Sequence, residues 1–307
     1  MIAKFSPMIL LCLAIASYST SAGDADLKPN AVLTFEFPDL PPTLVNQMKN
    51  DNVKPKMTVQ LPSNYTKDGK FPIFVFLEGG DGGHGDMLSS ALRVVKDKDF
   101  ICVNMPLFKE NSEGALKENV EGIQALLSSY GIAIPAEEKE KVDKTLEGFS
   151  TWIIFKRDAK KIALAYKTML EKLFKEIPNI TVERSAIGGF SNGAHTTGVL
   201  IAEQDPFIMD HFQAFYMWDG GLFIPKDSLA KPALKGKRLL MLYGDQPANE
   251  FGRMFFLTLE GCIDKEAKAQ KIDLTSIVMK GHGHEMPDKY AELLGKWTRG
   301  EKIQQPE

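Results

Sequence analysis

At 307 residues and 44% hydrophobic content, the chain can bury a sizeable core, as one large α/β domain or two small ones. A formal net charge of −3 with no basic run argues against nucleic acid as a partner. Beyond the first 22 residues, no stretch is long and apolar enough to span a bilayer.

Residues 1–22 form a separate unit. Lys4 precedes an apolar run from Met8 to Ala16, and Ser19-Thr20-Ser21-Ala22 puts small residues before Gly23-Asp24. That is the pattern of a secretory signal peptide, too short for a stable membrane anchor. The expected mature chain is 23–307, secreted or periplasmic. Cys12 follows Leu11 rather than a small residue and fits a lipidation site poorly. Export permits a disulfide, but Cys102 falls in a predicted strand and Cys262 on a distant helix, so both are expected as buried free thiols.

Val32 to Phe37 alternates apolar and polar residues and predicts a half-exposed first strand, with Met57 to Leu61 as its antiparallel partner. Pro72 to Leu77 and Phe100 to Met105 are continuously apolar, as expected of strands buried on both faces of a parallel sheet. Between Met105 and residue 185 the chain is longer than a β-α-β crossover requires. Glu113 to Ser129 and Ala136 to Leu146 read as helices, followed by one long helical pattern from Thr151 to Glu176. The last is expected to be the crossover, and 107–150 an insertion above the strand ends, a lid or specificity wall.

Further strands are predicted at Gln213 to Trp218, Arg238 to Tyr243 and Leu274 to Met279, with helices at Phe251 to Ile272 and Asp288 to Thr298. No internal repeat, low-complexity segment or interdomain linker interrupts this alternation. It predicts one α/β layer sandwich around a mostly parallel sheet.

The chain is organised around Ser185 to His195, S-A-I-G-G-F-S-N-G-A-H. Gly189-x-Ser191-x-Gly193 has the form of a sharp strand-to-helix turn that lifts a serine hydroxyl out of a sheet. In open parallel sheets, function gathers at the carboxyl ends of the strands. Four such ends carry polar signatures: the loop Glu78-Gly79-Gly80-Asp81-Gly82-Gly83-His84-Gly85, the Ser191 turn, Gly244-Asp245, and Gly281-His282-Gly283-His284. Serine is a weak nucleophile that needs an adjacent base, histidine supplies one, and a carboxylate orients the imidazole. Ser191, His284 and Asp245 are the expected nucleophile, base and acid. His282 competes with His284, and Asp219, which ends the preceding strand, competes with Asp245; Glu250 lies further along.

These four motifs in register resemble the α/β-hydrolases, closest to secreted esterases of the esterase D and polyhydroxybutyrate-depolymerase type. The resemblance covers nearly all of 23–307, and the order Ser, Asp, His is the family's. It implies an α/β-hydrolase fold and a serine hydrolase acting on carboxylic esters through an acyl-enzyme, with no cofactor and no metal. It further implies an oxyanion hole from the backbone N–H groups of Asn192 and Gly80. The family usually has His-Gly at the start of that loop, where this chain has Glu78-Gly79.

The glycine loop lacks the Lys-Ser/Thr of a phosphate-binding loop, and its acidic pair would repel phosphate. Around His282, His284 and Glu285 there is no H-E-x-x-H metal motif. His195 and His211 read as structural. A small-molecule or polysaccharide ester is the expected partner, and the sequence leaves the oligomeric state open. Two other readings stand beside the esterase: a serine peptidase of the prolyl-oligopeptidase type, and a non-catalytic binding protein on the same fold.

Overall fold

A computed structural model describes residues 27–36, 44–46, 56–79, 88–96, 99–110, 115–134, 159–221, 224–246 and 250–306, with positions 136, 137, 139, 140 and 144. The expected signal peptide at 1–22, Gly80 with the rest of its loop to 87, and most of the helix expected at Ala136 to Leu146 lie outside the described residues.

Ten strands are described: β1 Val32–Glu36, β2 Leu44–Asn46, β3 Lys56–Gln60, β4 Phe71–Leu77, β5 Ile101–Met105, β6 Phe108–Glu110, β7 Ile180–Phe190, β8 Ala214–Trp218, β9 Arg238–Gly244 and β10 Asp273–Met279. Eight form one sheet in the order β1-β3-β5-β4-β7-β8-β9-β10, and β2 pairs with β6 in a small separate sheet. β3 runs antiparallel to both of its neighbours, β1 and β5. From β5 to β10 every neighbour is parallel.

The continuous apolar runs explain this directly. β4, β5 and β8 are buried at every position, because successive side chains point to opposite faces and helices cover both. Ile73, Val75 and Leu77 of β4 join one core cluster; Phe74 and Phe76 join the other. The first cluster takes in the inner faces of α3 (Ala159–Glu176) and α4 (Asn192–Glu203). The second takes in α1 (Leu88–Val95) and the final helix, Asp288–Thr298.

α2, Ala115–Ser129, falls within the segment expected as an insertion. Its carboxyl end belongs to the core. Leu127 is buried in the first cluster, Tyr130 donates its hydroxyl hydrogen to the Ile224 carbonyl, and Leu107 and Phe108 are fully buried at the other end of the segment. Cys102 is buried and Cys262 half-buried, and among the described residues neither is in a disulfide. Among the described residues, no helix is long and apolar enough to cross a membrane.

Candidate active site

The parallel run brings the carboxyl ends of β4, β7, β8, β9 and β10 to one edge of the sheet. β7 ends at Phe190, and Ser191 turns the chain into α4 with φ 55° and ψ −118°. A non-glycine residue at positive φ carries backbone strain, and such strain clusters at functional turns. Both ends of the turn are fixed by the backbone: the Ser191 N–H donates to the Trp218 carbonyl (2.9 Å), and its own carbonyl accepts from the His195 N–H (3.1 Å). The flanking glycines are required by close approach. A Cβ on Gly189 or Gly193 would lie 2.4 or 2.1 Å from the Leu77 carbonyl oxygen at the end of β4.

His284 reaches this serine from the loop after β10. Its Nε2 lies 2.9 Å from Ser191 Oγ, and its Nδ1 bonds the Asp219 carboxylate through Oδ2. With Nδ1–H donating to the carboxylate, Nε2 is left to accept the serine hydroxyl hydrogen. The imidazole also stacks on Phe190, centroids 4.7 Å apart. The His284 side chain is 56% exposed and that of Asp219 only 16%, so the ring is open to solvent while the carboxylate is shielded. Asp219 itself has φ 51°, and its other oxygen accepts the Gly244 N–H at 3.1 Å.

The structure brings Asp219, rather than the expected Asp245, to the His284 ring. Asp245 lies two strands from the elbow, and its Oδ1 accepts the Gly281 N–H (2.7 Å) at the root of the histidine loop. The cause is the path of that loop. Met279 of β10 is level with Gly244 of β9, so the chain beyond Met279 folds back over β9 to reach β8. It rests on Gly244, where a Cβ would come within 2.5 Å of the carbonyl oxygens of both His282 and Gly283. Asp219 is one residue past Trp218, the partner of Phe190, and so is level with Ser191.

Of the two histidines, His284 meets the serine; His282 Nδ1 pairs instead with Glu285 (2.7 Å) and its ring lies edge-on to Tyr290. Asn192 is the first residue of α4, directly after Ser191. The loop after β4 approaches Ser191 at Gly79, where a Cβ would lie 3.2 Å from that of the serine. Glu78 is fully buried, and its backbone N–H donates to the Met105 carbonyl. Among the described residues, no group of three or more metal-ligating side chains converges.

The sequence marks His195 as structural but does not give its partner. It is buried in the first turn of α4, and its Nδ1 accepts the Gly221 N–H at 3.0 Å. Desolvation, helped by nearby His284, holds its pKa down to about 3. The signal available in the sequence was its place four residues after Ser191, one helical turn on.

No family model matches the chain. No curated protein matches it either. Among solved structures it is similar to an S-formylglutathione hydrolase from Agrobacterium tumefaciens, with 12% identity, TM-score 0.48, and 89% of this chain on 95% of that one. A feruloyl esterase module from Clostridium thermocellum, solved with sinapinate, gives 13%, 0.46, 94% and 95%. An acylaminoacyl peptidase from Pyrococcus horikoshii gives 14% and 0.45; 84% of this chain matches, spanning only 38% of that one.

The fold is legible in the chain itself. Counted along the main sheet alone, the strands lie in the order 1-2-4-3-5-6-7-8, with the elbow after the fifth and Ser, Asp and His following in that order. This is the α/β-hydrolase fold.

Proposed function

We propose that the protein is a serine hydrolase that cleaves carboxylic esters through an acyl-enzyme. The observation that carries this reading is the unbroken line from Ser191 Oγ through the His284 ring to Asp219, at an elbow with positive φ. Ser191 Oγ attacks the ester carbonyl as His284 Nε2 takes its proton, and Asp219 stabilises the imidazolium that forms. The Asn192 N–H and one from the loop after β4, expected at Gly80, bind the oxyanion. Collapse expels the alcohol, which takes the proton from His284. Water then enters along the same path, giving up its proton to His284, and releases the acid.

No metal or cofactor has a part in this chemistry. Export of the mature chain 23–307, a polysaccharide or small acyl ester as substrate, and a lid or specificity wall in 107–150 belong to the same proposal.

The test is labelling by a fluorophosphonate probe and turnover of a nitrophenyl ester series run beside acetylated xylan. Ser191→Ala should abolish labelling and lower turnover by on the order of 10⁶-fold, with the melting temperature nearly unchanged. Wild-type protein that neither labels nor turns over any ester would favour a binding protein on this fold.

A further inference from the structure

We propose that His195 is a positioning residue that ties the acid-bearing turn to the nucleophile helix, by accepting the Gly221 N–H on its Nδ1. This rests on the reading of Ser191, His284 and Asp219 as the reacting set.

The turn after β8 runs Asp219-Gly220-Gly221, and two of its residues have positive φ, Asp219 at 51° and Gly221 at 83°. A backbone in that region needs its surroundings to hold it there. Three contacts do so. The Asp219 N–H donates to the Leu242 carbonyl at 2.6 Å, which fixes the start of the turn to β9. Gly220 packs so closely on the elbow that a Cβ would lie 2.5 Å from the Ser191 carbonyl oxygen. Gly221 is buried, so its N–H must find an acceptor inside the protein, and His195 Nδ1 supplies it. That acceptor sits on α4, which the nucleophile caps, since the His195 N–H closes back onto the Ser191 carbonyl. Nucleophile and acid are thus held by one ring through its backbone and its side chain.

The contact requires a neutral imidazole, because protonation would turn Nδ1 into a donor facing a donor. Burial keeps His195 neutral, with its pKa near 3, throughout the range in which His284 can work as a base. His284 itself is faced by Asp219 from the β8 turn, by Ser191 from the elbow and by His195 from α4; neighbouring Glu285 is engaged with His282. If the β8 turn slackens, the group His284 loses is Asp219. An imidazolium deprived of its carboxylate becomes more acidic, so the acid limb of the pH profile should move to lower pH while the plateau falls.

The experiment compares four full-length proteins, wild type, Ser191→Ala, His195→Asn and His195→Leu, in fluorophosphonate labelling rate against pH and in thermal melting. The asparagine amide oxygen takes nearly the position of Nδ1 and keeps an acceptor for Gly221; leucine fills the space without one. His195→Asn should label within about threefold of wild type, and His195→Leu should be slower by roughly 10- to 100-fold with its acid limb displaced downward, the scale of a displaced reacting group.

A folded His195→Leu with wild-type rate and limb overturns the proposal, as does an Asn variant as slow as Leu with an unmoved limb. Should His195→Leu fail to melt cooperatively, His195→Asn decides: near wild type upholds the proposal, and a loss beyond about tenfold overturns it. Failure of the proposed function looks different, because wild type itself would then label no faster than Ser191→Ala, and both readings would fall together.

Discussion

Two turns at the same edge of the sheet each place an aspartate just beyond a strand, and the structure uses them in opposite ways. After β8, the Asp219 side chain meets the His284 ring, and the backbone of the turn is held by others. After β9, the Asp245 side chain holds backbone, taking the Gly281 N–H, while the Gln246 N–H donates to the His282 carbonyl. One turn presents its carboxylate to the ring and the other supports the loop that carries the ring. Gly244 joins the two, donating to Asp219 from beneath the histidine loop. A carboxylate at a strand end is therefore only a candidate. Its role depends on which neighbouring strand sends its loop across.

Neutralising each aspartate separates the two roles. Asp219→Asn should lower kcat on a nitrophenyl ester by on the order of 10⁴-fold, the cost of leaving a triad histidine in the wrong tautomer. The folded state should persist in thermal melts. Asp245→Asn keeps an oxygen that can accept from Gly281, and kcat should stay within about threefold of wild type, since no charge is needed there. Asp245→Ala removes the acceptor; about 1 kcal/mol of stability and roughly a tenfold loss in kcat are expected, because the exposed Gly281 N–H can turn to water. Equal losses in Asp219→Asn and Asp245→Asn would mean that the two turns share the work of the acid, and the contrast would collapse.

The sheet was legible because its signals are local. The seven-residue run Phe71–Leu77 is apolar throughout, and its alternate side chains enter the two core clusters. The elbow was legible for the same reason, since its glycines and its serine stand together in sequence. The carboxylate that meets His284 was not, because the deciding fact is a register between distant strands: Met279 level with Gly244, and Phe190 level with Trp218. Sequence adjacency of β7 and β8 was a usable hint, since Asp219 ends the strand next to the nucleophile. β2 and β6 have three residues each, too few for alternation to register. Periodicity marked the helix Ala115–Ser129 but not the docking of Leu127 and Tyr130 into the core.

The smallest effect is expected at the histidine that does not meet the serine. The β9 turn grips the histidine loop through the His282 backbone, the carbonyl taking the Gln246 N–H at 2.9 Å and the N–H reaching the Met279 carbonyl at 3.2 Å. Neither bond depends on the side chain. The ring pairs with Glu285, itself more than half exposed, and lies edge-on to Tyr290 at 5.6 Å. A polar contact so open to water contributes little, and the ring contact somewhat more. His282→Gln should therefore cost about 0.5–1 kcal/mol of stability and leave kcat/KM within about threefold of wild type. The comparison with His284→Ala, expected to match Ser191→Ala at on the order of 10⁶-fold, isolates the ring that works from the ring that only packs. A loss beyond about tenfold in folded His282→Gln would show that the β9 turn alone does not hold the loop, and that the His282–Glu285 pair sets the position of His284.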